Sequence, residues 1–189
     1  MSVVGFAVAG GESLRMGRDK ALLPWGDSDL LDHALARLRT VAADVRILCG
    51  AERRYLDRGR PVEPDLARGV GPLAGVLTGL TAARGRPGLF LAVDLPRVPV
   101  ALLARLVERG AGWDAVVPVS PRGPEPLCAV YGPRCLEPIR GRIAAGDFRM
   151  TAFWPEVRVL QLDAAELAVF GDTAFLFRNL NTPEDLEPG

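Results

Sequence analysis

Short apolar runs alternate along the chain with segments in which apolar residues recur at helical spacing. The run VVGFAVA at 3–9 is rich in β-branched residues and ends at a glycine pair, a pattern typical of a buried strand. The segment 29–42 places Leu31, Leu35 and Leu38 on one face and charged residues on the other, which predicts an amphipathic helix. The same reasoning predicts further strands at 44–50, 88–96, 113–120, 125–132, 157–163 and 174–180, and helices at 51–59, 71–85, 99–110, 134–147 and 182–188. The two prolines of 60–65 allow at most a short edge strand there.

Strands that alternate with helices in this way predict an α/β protein with a mainly parallel, doubly wound (Rossmann-like) sheet and helices on both faces. No internal repeat, low-complexity tract or linker divides the sequence, so we expect a single domain over residues 1–189. In such a sheet ligands bind outside the carboxyl ends of the strands. Gly10, Asp65 and Asp94 each follow a predicted strand, and we expect them at that edge.

The composition limits the classes of partner. Hydrophobic residues make up 49% of the chain and the formal net charge is zero, which predicts a globular protein without the basic field that attracts nucleic acid or anionic membranes. The N-terminus lacks the basic region of a secretory signal, and no apolar stretch reaches the roughly 18 residues of a membrane span. The three cysteines show no C-x-x-C spacing, which favours a reducing compartment. We therefore expect a cytoplasmic protein that binds neither nucleic acid nor membrane.

Lys20 is the only lysine among 23 basic residues, and it lies in the glycine-rich stretch VAGGESLRMGRDK after the first strand. Gly10 and Gly11 permit a close backbone approach and Arg15 adds positive charge, so the stretch indicates an anion site. It matches neither the phosphate-loop pattern G-x-x-x-x-G-K-S/T nor the dinucleotide pattern G-x-G-x-x-G. A lysine ammonium can follow a phosphate through a reaction, whereas a guanidinium imposes a planar fork. A solvated glycine-rich turn is the alternative.

Asp94 ends the apolar run of the strand predicted at 88–96. A carboxylate at the end of a buried strand is costly to desolvate unless it is paired or binds a cation. Mg²⁺ is typically held by one or two carboxylates together with substrate phosphates. These properties favour a metal or ligand role for Asp94 over a helix cap. For Asp65, in VEPD, ordinary turn chemistry is a strong alternative, since aspartate is common beside proline and ahead of glycines.

The only two asparagines of the chain, Asn179 and Asn181, lie one residue apart in FRNLNTPEDL. Their donor and acceptor groups suit a polar ligand, although an Asx turn would explain one of them. Arg149 is either a surface charge or a phosphate contact. His33 is expected to be a surface or half-buried residue of its helix rather than a base, and Cys128 a small core residue. The residues alone thus indicate Mg²⁺-dependent phosphate-ester chemistry in a nucleotide-type α/β protein, and nothing more specific.

The stretch VAGGESLRMGRDKALLPWG resembles the signature L-A-G-G-x-S-x-R-M-G-x-D-K-x-L of the MobA-like nucleotidyltransferases. GPLAGVLTGL, VDLPRVP, PLCAVY, GDFRM and NLNTPEDL match later blocks of that family in the same order, so the resemblance covers essentially the whole chain. Within the family, the molybdenum cofactor guanylyltransferase type is the most similar. The resemblance implies an enzyme that joins GMP from GTP to molybdopterin, releases pyrophosphate and uses Mg²⁺.

The resemblance also implies roles for individual residues and partners. GTP and molybdopterin would be the substrates, and other cofactor-biosynthesis proteins or apo-molybdoenzymes the protein partners. The loop ILCGAE after the second strand lacks the nucleotide-binding asparagine of some members, so that contact has no counterpart here. The positions that match the nucleotide-binding residues of the family are Val8, Ala9, Gly10, Gly11, Lys20, Asp65 and Asp94. Those that match its catalytic residues are Lys20, Arg15 and Asp94, and Asp94 would also be the Mg²⁺ ligand. Those that match its acceptor-binding residues are Arg149, Asn179 and Asn181.

Three other functions stay open at this point. Cytidylyl transfer to the same cofactor is one, and members of that type tend toward L-A-A-G where this chain has VAGG. Nucleotidyl transfer to another small phosphate, such as a lactate or sugar phosphate, is a second, although the NLNTPEDL ending favours the molybdopterin type. A catalytically silent nucleotide-binding module is the third, and the presence of both Lys20 and Asp94 argues against it.

Overall fold

The computed structural model describes residues 2–10 and 19–180 of the chain. In this part of the chain a central sheet is flanked by helices, and a two-stranded hairpin precedes the first helix. The strands are β1 (Val4–Val8), β2 (Pro24–Trp25), β3 (Ser28–Asp29), β4 (Asp44–Leu48), β5 (Val62–Glu63), β6 (Gly88–Ala92), β7 (Ala115–Ser120), β8 (Gly123–Pro124), β9 (Cys128–Tyr131) and β10 (Val159–Leu162). The helices are α1 (Leu30–Arg39), α2 (Pro72–Ala83), α3 (Val100–Arg109), α4 (Leu136–Ala144), α5 (Ala164–Leu167) and α6 (Thr173–Leu176).

The sheet has the strand order β10-β7-β9-β6-β1-β4-β5, with β8 paired to β7. The pairs β1–β4, β1–β6, β4–β5 and β7–β10 are parallel, and β9 is antiparallel to both of its neighbours. Val8 is in register with Leu48 of β4 and with Ala92 of β6, so these three strands end in one row. The prediction of a mainly parallel α/β sheet is therefore confirmed.

Alternate residues of the central strands pack against different helix layers. Phe6 and Phe90 stack with their ring centroids 5.0 Å apart and belong to the cluster that includes the inner faces of α2 and α4. Ala7 and Leu91, one residue further along each strand, belong to the cluster that includes α1 and α3. Because side chains alternate across a strand, a strand covered on both faces is apolar throughout, as the buried β1 and β6 are.

Two sequence predictions about local structure are wrong. Residues 174–180 form no strand: α6 occupies their first part, because the Asp172 carboxylate accepts a hydrogen bond from Ala174 N and caps a short helix. Residues 51–59 form no α-helix either, since only Leu56–Arg58 make a 3₁₀ turn and Tyr55 before it has a left-handed backbone with φ of 64°. The helix predicted at 182–188 lies outside the described residues.

A close backbone contact at the end of β1 explains the first glycine of the pair. A β-carbon on Gly10 would lie 2.6 Å from the amide nitrogen and 2.7 Å from the α-carbon of Gly50, which follows β4. These are main-chain atoms at the edge of the sheet, so they cannot swing away as the end of a side chain would. Gly10 is thus required by the packing of two neighbouring loops, independently of any ligand.

We expect Gly10→Ala to lower the free energy of unfolding by about 1–3 kcal/mol, the usual cost of forcing extra atoms into a packed site. Urea denaturation of the variant and the parent measures the difference. Gly141→Ala in α4 is the matched control, because a β-carbon there meets nothing within 4 Å. The control should be unchanged or more stable by up to about 1 kcal/mol, since alanine favours helix. Equal unfolding midpoints for Gly10→Ala and the parent would contradict the packing argument.

Candidate functional site

The loops after β1, β4, β5 and β6 meet at the carboxyl edge of the sheet, where the sequence predicted a ligand site. Backbone hydrogen bonds tie these loops to one another: Val93 N donates to Val8 O at 3.2 Å, and Asp65 N donates to Gly50 O at 2.8 Å. Gly10, Asp65 and Asp94 therefore lie on the same edge, as expected. A small pocket opens there, lined in part by Val8, Ala9, Gly10, Lys20, Asp94 and Leu127. A larger cavity, lined in part by Val3 and Trp113, contains none of these residues.

Lys20 and Asp94 form an ion pair within this pocket. Lys20 Nζ lies 2.9 Å from Asp94 Oδ2, and their side chains are 19% and 24% exposed. The two residues are 74 positions apart in sequence, and the fold brings them together because Asp94 follows β6 while Lys20 lies on the chain that follows β1. A cation and an anion that are both partly desolvated interact more strongly than a surface pair. The pair can offer either charge to a ligand in the pocket.

Asp19, which no sequence pattern singles out, anchors the short 3₁₀ helix Lys20–Leu22. Its carboxylate accepts hydrogen bonds from Ala21 N at 3.1 Å, from Tyr55 OH at 2.7 and 2.9 Å, and from Arg54 Nη1 at 3.1 Å. Burial and the Asp19 carboxylate hold the pKa of Tyr55 well above its usual range, so its hydroxyl stays a donor. The anchor fixes the backbone from which the Lys20 side chain extends.

Asp65 is a half-buried carboxylate beside α2. Burial raises its pKa above the usual value, and no side chain of the described residues donates a hydrogen bond to it. A β-carbon at Gly75 of α2 would lie 4.0 Å from Asp65 Oδ1, so the carboxylate lies against the early part of that helix. The loop is held in place by Leu66 N, which donates to Thr78 Oγ1 at 3.0 Å. Asp65 therefore presents an acceptor whose loss of hydration a ligand with N–H donors could offset.

The chain after α6 passes next to Asp94. Leu180 N donates to Asp94 O at 3.1 Å, and an Arg122 guanidinium nitrogen donates to the Phe177 carbonyl. Asn179, which is half-buried, is thereby held beside the Asp94 loop, although the strand predicted for this segment is absent. Asn181, like Gly11 and Arg15, lies outside the described residues.

Arg149 takes no part in the hydrogen bonds that connect Lys20, Asp94 and Leu180. It is 79% exposed and binds the carboxylate of Asp147 with two nitrogens, at 2.9 and 2.7 Å. This contact lowers the pKa of Asp147 to about 2. In this structure Arg149 is a surface charge, and a phosphate contact would require it to leave Asp147.

Glu125, which no sequence pattern singles out, is a second carboxylate close enough to Asp94 to feel its charge. Burial raises its pKa and the negative charge of Asp94 adds to the rise, while a hydrogen bond with Ser120 and the charge of Arg122 oppose it.

Among residues 2–10 and 19–180, no group of three or more His, Cys, Asp or Glu side chains forms a ready cation site. A single carboxylate such as Asp94 can still hold a divalent cation that takes its other ligands from a bound ligand and from water.

Two expectations about other residues are confirmed. His33 is half-buried in α1, and its Nε2 lies 3.1 Å from Pro96 O. Cys128 is fully buried in β9, and burial raises the pKa of its thiol to about 12.

No helix within the described part of the chain has both the length and the apolarity required to cross a bilayer.

A parallel sheet with charged loops at its carboxyl edge is the architecture of nucleotide-binding α/β proteins. Residues 5–157 match the family described as MobA-like NTP transferase domain. A protein of Pelotomaculum thermopropionicum named "Probable molybdenum cofactor guanylyltransferase" is 35% identical, with 98% of this chain and 91% of that protein aligned. One of the same name from Deinococcus radiodurans is 36% identical over 94% and 89% of the two chains. The chain therefore belongs to the MobA-like NTP transferase family.

Solved structures support the fold. The crystal structure of molybdopterin-guanine dinucleotide biosynthesis protein A from Archaeoglobus fulgidus superposes with a TM-score of 0.78, at 24% identity, and covers 97% of this chain and 95% of its own. The 2-C-methyl-D-erythritol 4-phosphate cytidylyltransferase from Thermus thermophilus superposes with a TM-score of 0.69, at 20% identity, over 98% and 96%. At these identities the likeness concerns the fold alone.

Proposed function

We propose that the protein transfers GMP from GTP to molybdopterin, forming molybdopterin guanine dinucleotide and releasing pyrophosphate with the help of Mg²⁺. The observation that carries the proposal is the ion pair of Lys20 and Asp94 beside the Gly10 backbone at the carboxyl edge of the sheet. The substrates are inferred from the name molybdenum cofactor guanylyltransferase, which relatives aligned over most of their length bear. None of their names favours cytidylyl transfer or another acceptor.

In this proposal the nucleotide lies along the carboxyl edge of the sheet. The backbone of Val8, Ala9, Gly10 and Gly11 approaches the nucleoside, and Asp65 accepts hydrogen bonds from the guanine base. Guanine offers adjacent N1–H and N2–H donors, and a carboxylate with two acceptor oxygens can take both. Asp65 has no such partner among the described residues, and burial raises its pKa. Both properties suit an acceptor that is completed by the base.

In the proposal, Lys20 and Asp94 contact the phosphates of the nucleotide and the metal ion that accompanies them. In the presence of the triphosphate, the Lys20 ammonium would bind phosphate oxygens in place of the Asp94 carboxylate. Asp94 would hold the accompanying Mg²⁺ in place of the Lys20 ammonium, so that each charge keeps a partner of the opposite sign. Bound Mg²⁺ would supply neutralisation of the phosphate charge. Arg15 would add a further cation at this place. The Asp19 anchor keeps the Lys20 side chain aimed at the pocket through the exchange.

The transfer is an in-line displacement at phosphorus. An oxygen of the terminal phosphate of molybdopterin forms a bond to the α-phosphorus of GTP, while the bond from that phosphorus to the bridging oxygen breaks and its electron pair leaves with pyrophosphate. No proton has to be taken from the attacking phosphate oxygen when it is already ionised. The protein therefore acts mainly by positioning the substrates and by stabilising the charge that moves toward pyrophosphate.

The acceptor side of the site involves Asn179, Asn181 and Arg149. The support for Asn179 is its place beside the Asp94 loop, next to Leu180, which binds Asp94. Arg149 would have to leave Asp147 in order to meet an acceptor phosphate. A single domain over residues 1–189, a cytoplasmic location, and contacts with other cofactor-biosynthesis proteins or apo-molybdoenzymes remain predictions.

We expect Asp65→Asn to reduce the affinity for GTP about tenfold or more, because the amide keeps one acceptor and turns a donor toward the N–H groups of guanine. A thermal-shift screen with GTP, CTP, ATP and UTP in the presence of Mg²⁺ measures this, since selective binding raises the unfolding temperature. The parent should be stabilised selectively by GTP, and the variant should lose most of that shift.

Asp57→Asn is the matched control, because the Asp57 side chain is 79% exposed. It should retain the parent's response to GTP. Selective stabilisation of the parent by CTP would contradict guanylyl transfer, and an undiminished response of Asp65→Asn to GTP would contradict the role of Asp65.

A further inference from the structure

Arg37 is a buried arginine on the inner face of α1. Its side chain is surrounded by the core, and the whole residue is only 8% exposed. Its Nη1 donates to Pro96 O at 2.8 Å and to Leu95 O at 3.3 Å. These two carbonyls belong to the residues directly after Asp94. Arg37 therefore binds the main chain that carries the Asp94 carboxylate.

His33 reinforces this contact from the same helix. It precedes Arg37 by four residues, so the two side chains share one face of α1. His33 Nε2 lies 3.1 Å from Pro96 O, the carbonyl that Arg37 also binds. Two side chains of one helix thus converge on a single peptide next to the site.

Burial of this guanidinium is costly for the fold. No carboxylate of the described residues pairs with Arg37, and its Nη2 has no hydrogen-bond partner among them. Burial lowers the pKa of Arg37 to about 10, which reflects the cost of keeping the charge away from water. An apolar side chain of similar length would fill the space without this cost. The gain that offsets it is the binding of the Leu95 and Pro96 carbonyls.

The rest of the Asp94 loop is held from other directions. Leu95 N donates to Ala92 O at 3.2 Å, and Leu180 N donates to Asp94 O at 3.1 Å. The Arg97 guanidinium carbon lies 5.2 Å from the ring centre of Trp25 and 4.9 Å from that of Phe175. Within this frame, Arg37 and His33 are the side chains that fix the direction of the two carbonyls. Without them, the peptides after Asp94 could rotate and move the carboxylate away from Lys20.

We infer that Arg37, supported by His33, is a positioning residue that orients the Asp94 carboxylate toward the triphosphate by holding the Leu95 and Pro96 carbonyls. The inference rests on the proposed function for the ligand that Asp94 meets, and it assigns no chemical step to Arg37. A purely structural role for Arg37 would weaken the whole fold and the binding of every ligand alike. A positioning role predicts a local effect, confined to the Asp94 loop and to the phosphate end of the nucleotide.

The test compares Arg37→Met and Arg37→Lys with the parent and with Arg39→Met, a control at an exposed position of the same helix. Amide hydrogen exchange without nucleotide reports on residues 93–98, with residues 3–8 of β1 as the internal reference. Calorimetric titrations with guanosine and with GTP plus Mg²⁺ report separately on the two ends of the nucleotide.

In Arg37→Met we expect exchange at 93–98 to accelerate about tenfold, as the loss of a charged hydrogen bond to each carbonyl implies, with β1 unchanged. The affinity for GTP with Mg²⁺ should fall about tenfold while the affinity for guanosine stays the same. Arg37→Lys, which keeps a donor, should lie between this variant and the parent, and it carries the test if Arg37→Met does not fold. The Arg39→Met control should match the parent in both measurements.

Uniform acceleration across β1 and 93–98, unchanged exchange at 93–98, or equal losses of guanosine and GTP affinity would overturn the inference. Failure of the proposed function looks different, since the parent itself would then bind no guanine nucleotide. In that case the exchange measurement still decides whether Arg37 holds the loop.

Discussion

Replacing Lys20 with alanine is expected to lower the rate of GMP transfer about 100-fold, the usual effect of removing one preorganised donor to developing charge in a transition state. The ammonium lies 2.9 Å from Asp94 at the edge where the phosphates would bind, and Asp19 anchors its backbone. The fold should survive, because both side chains are partly exposed and water can replace much of the lost contact. Pyrophosphate release, measured with saturating GTP, Mg²⁺ and molybdopterin, gives the rate.

The arginine variant of the same position separates shape from charge. Lys20→Arg keeps the positive charge but replaces a compact, mobile ammonium by a planar fork. We expect it to remain at least about tenfold slower than the parent, since charge that is displaced from its target stabilises the transition state less well. Arg105→Ala, at an exposed position of α3, is the control and should keep the parent rate. Full activity in Lys20→Ala would exclude the phosphate role, and full activity in Lys20→Arg would refute the argument from shape.

Replacing Asp94 with asparagine is expected to have an effect of similar size, about 100-fold on the rate. The amide keeps the shape of the side chain but removes the charge that would hold Mg²⁺ and that balances Lys20. The dependence of pyrophosphate release on Mg²⁺ concentration should be lost or shifted to much higher metal. A metal titration of the variant and the parent under the same conditions measures this.

The exposed Asp27, between β2 and β3, gives the control for this substitution. Asp27→Asn should reproduce the metal dependence of the parent. Guanosine binding to Asp94→Asn should also be unchanged, because the base lies at Asp65 in the proposal. If Asp94→Asn showed the parent's Mg²⁺ titration curve, the assignment of the metal to this carboxylate would be wrong.

The arrangement of the loops at the carboxyl edge of the sheet could be predicted from local sequence patterns. The apolar runs before Gly10 and Asp94 indicate buried parallel strands, and parallel strands bring their carboxyl ends together, so the meeting of the two loops follows from topology. Lys20 was singled out because the chain uses no other lysine. Its contact with Asp94 is a finding of the structure.

Contacts that depend on long-range packing could not be predicted in the same way. The anchoring of Asp19 requires Tyr55 in a left-handed conformation, which non-glycine residues rarely adopt and which no local pattern announces. The pattern of 29–42 predicts its charged residues on the face opposite the leucines, whereas the structure buries Arg37 against Leu95 and Pro96. The charge of a side chain does not by itself predict its exposure, because backbone carbonyls on the buried face of a helix can bind it.

The segment before Asn179 shows how a short apolar stretch misleads. AFLF is compatible with a strand and with a helix, because four residues do not distinguish the two periods. The deciding signal was Asp172, which caps the helix and which the strand prediction overlooked.

The central claim is best tested by supplying GTP labelled at the α-phosphate together with molybdopterin and Mg²⁺. The account predicts that the label appears in a molybdopterin dinucleotide, that one pyrophosphate is released for each labelled product, and that labelled CTP does not replace GTP. Labelled product from CTP in preference to GTP, or no labelled product from GTP with a folded protein, would contradict it.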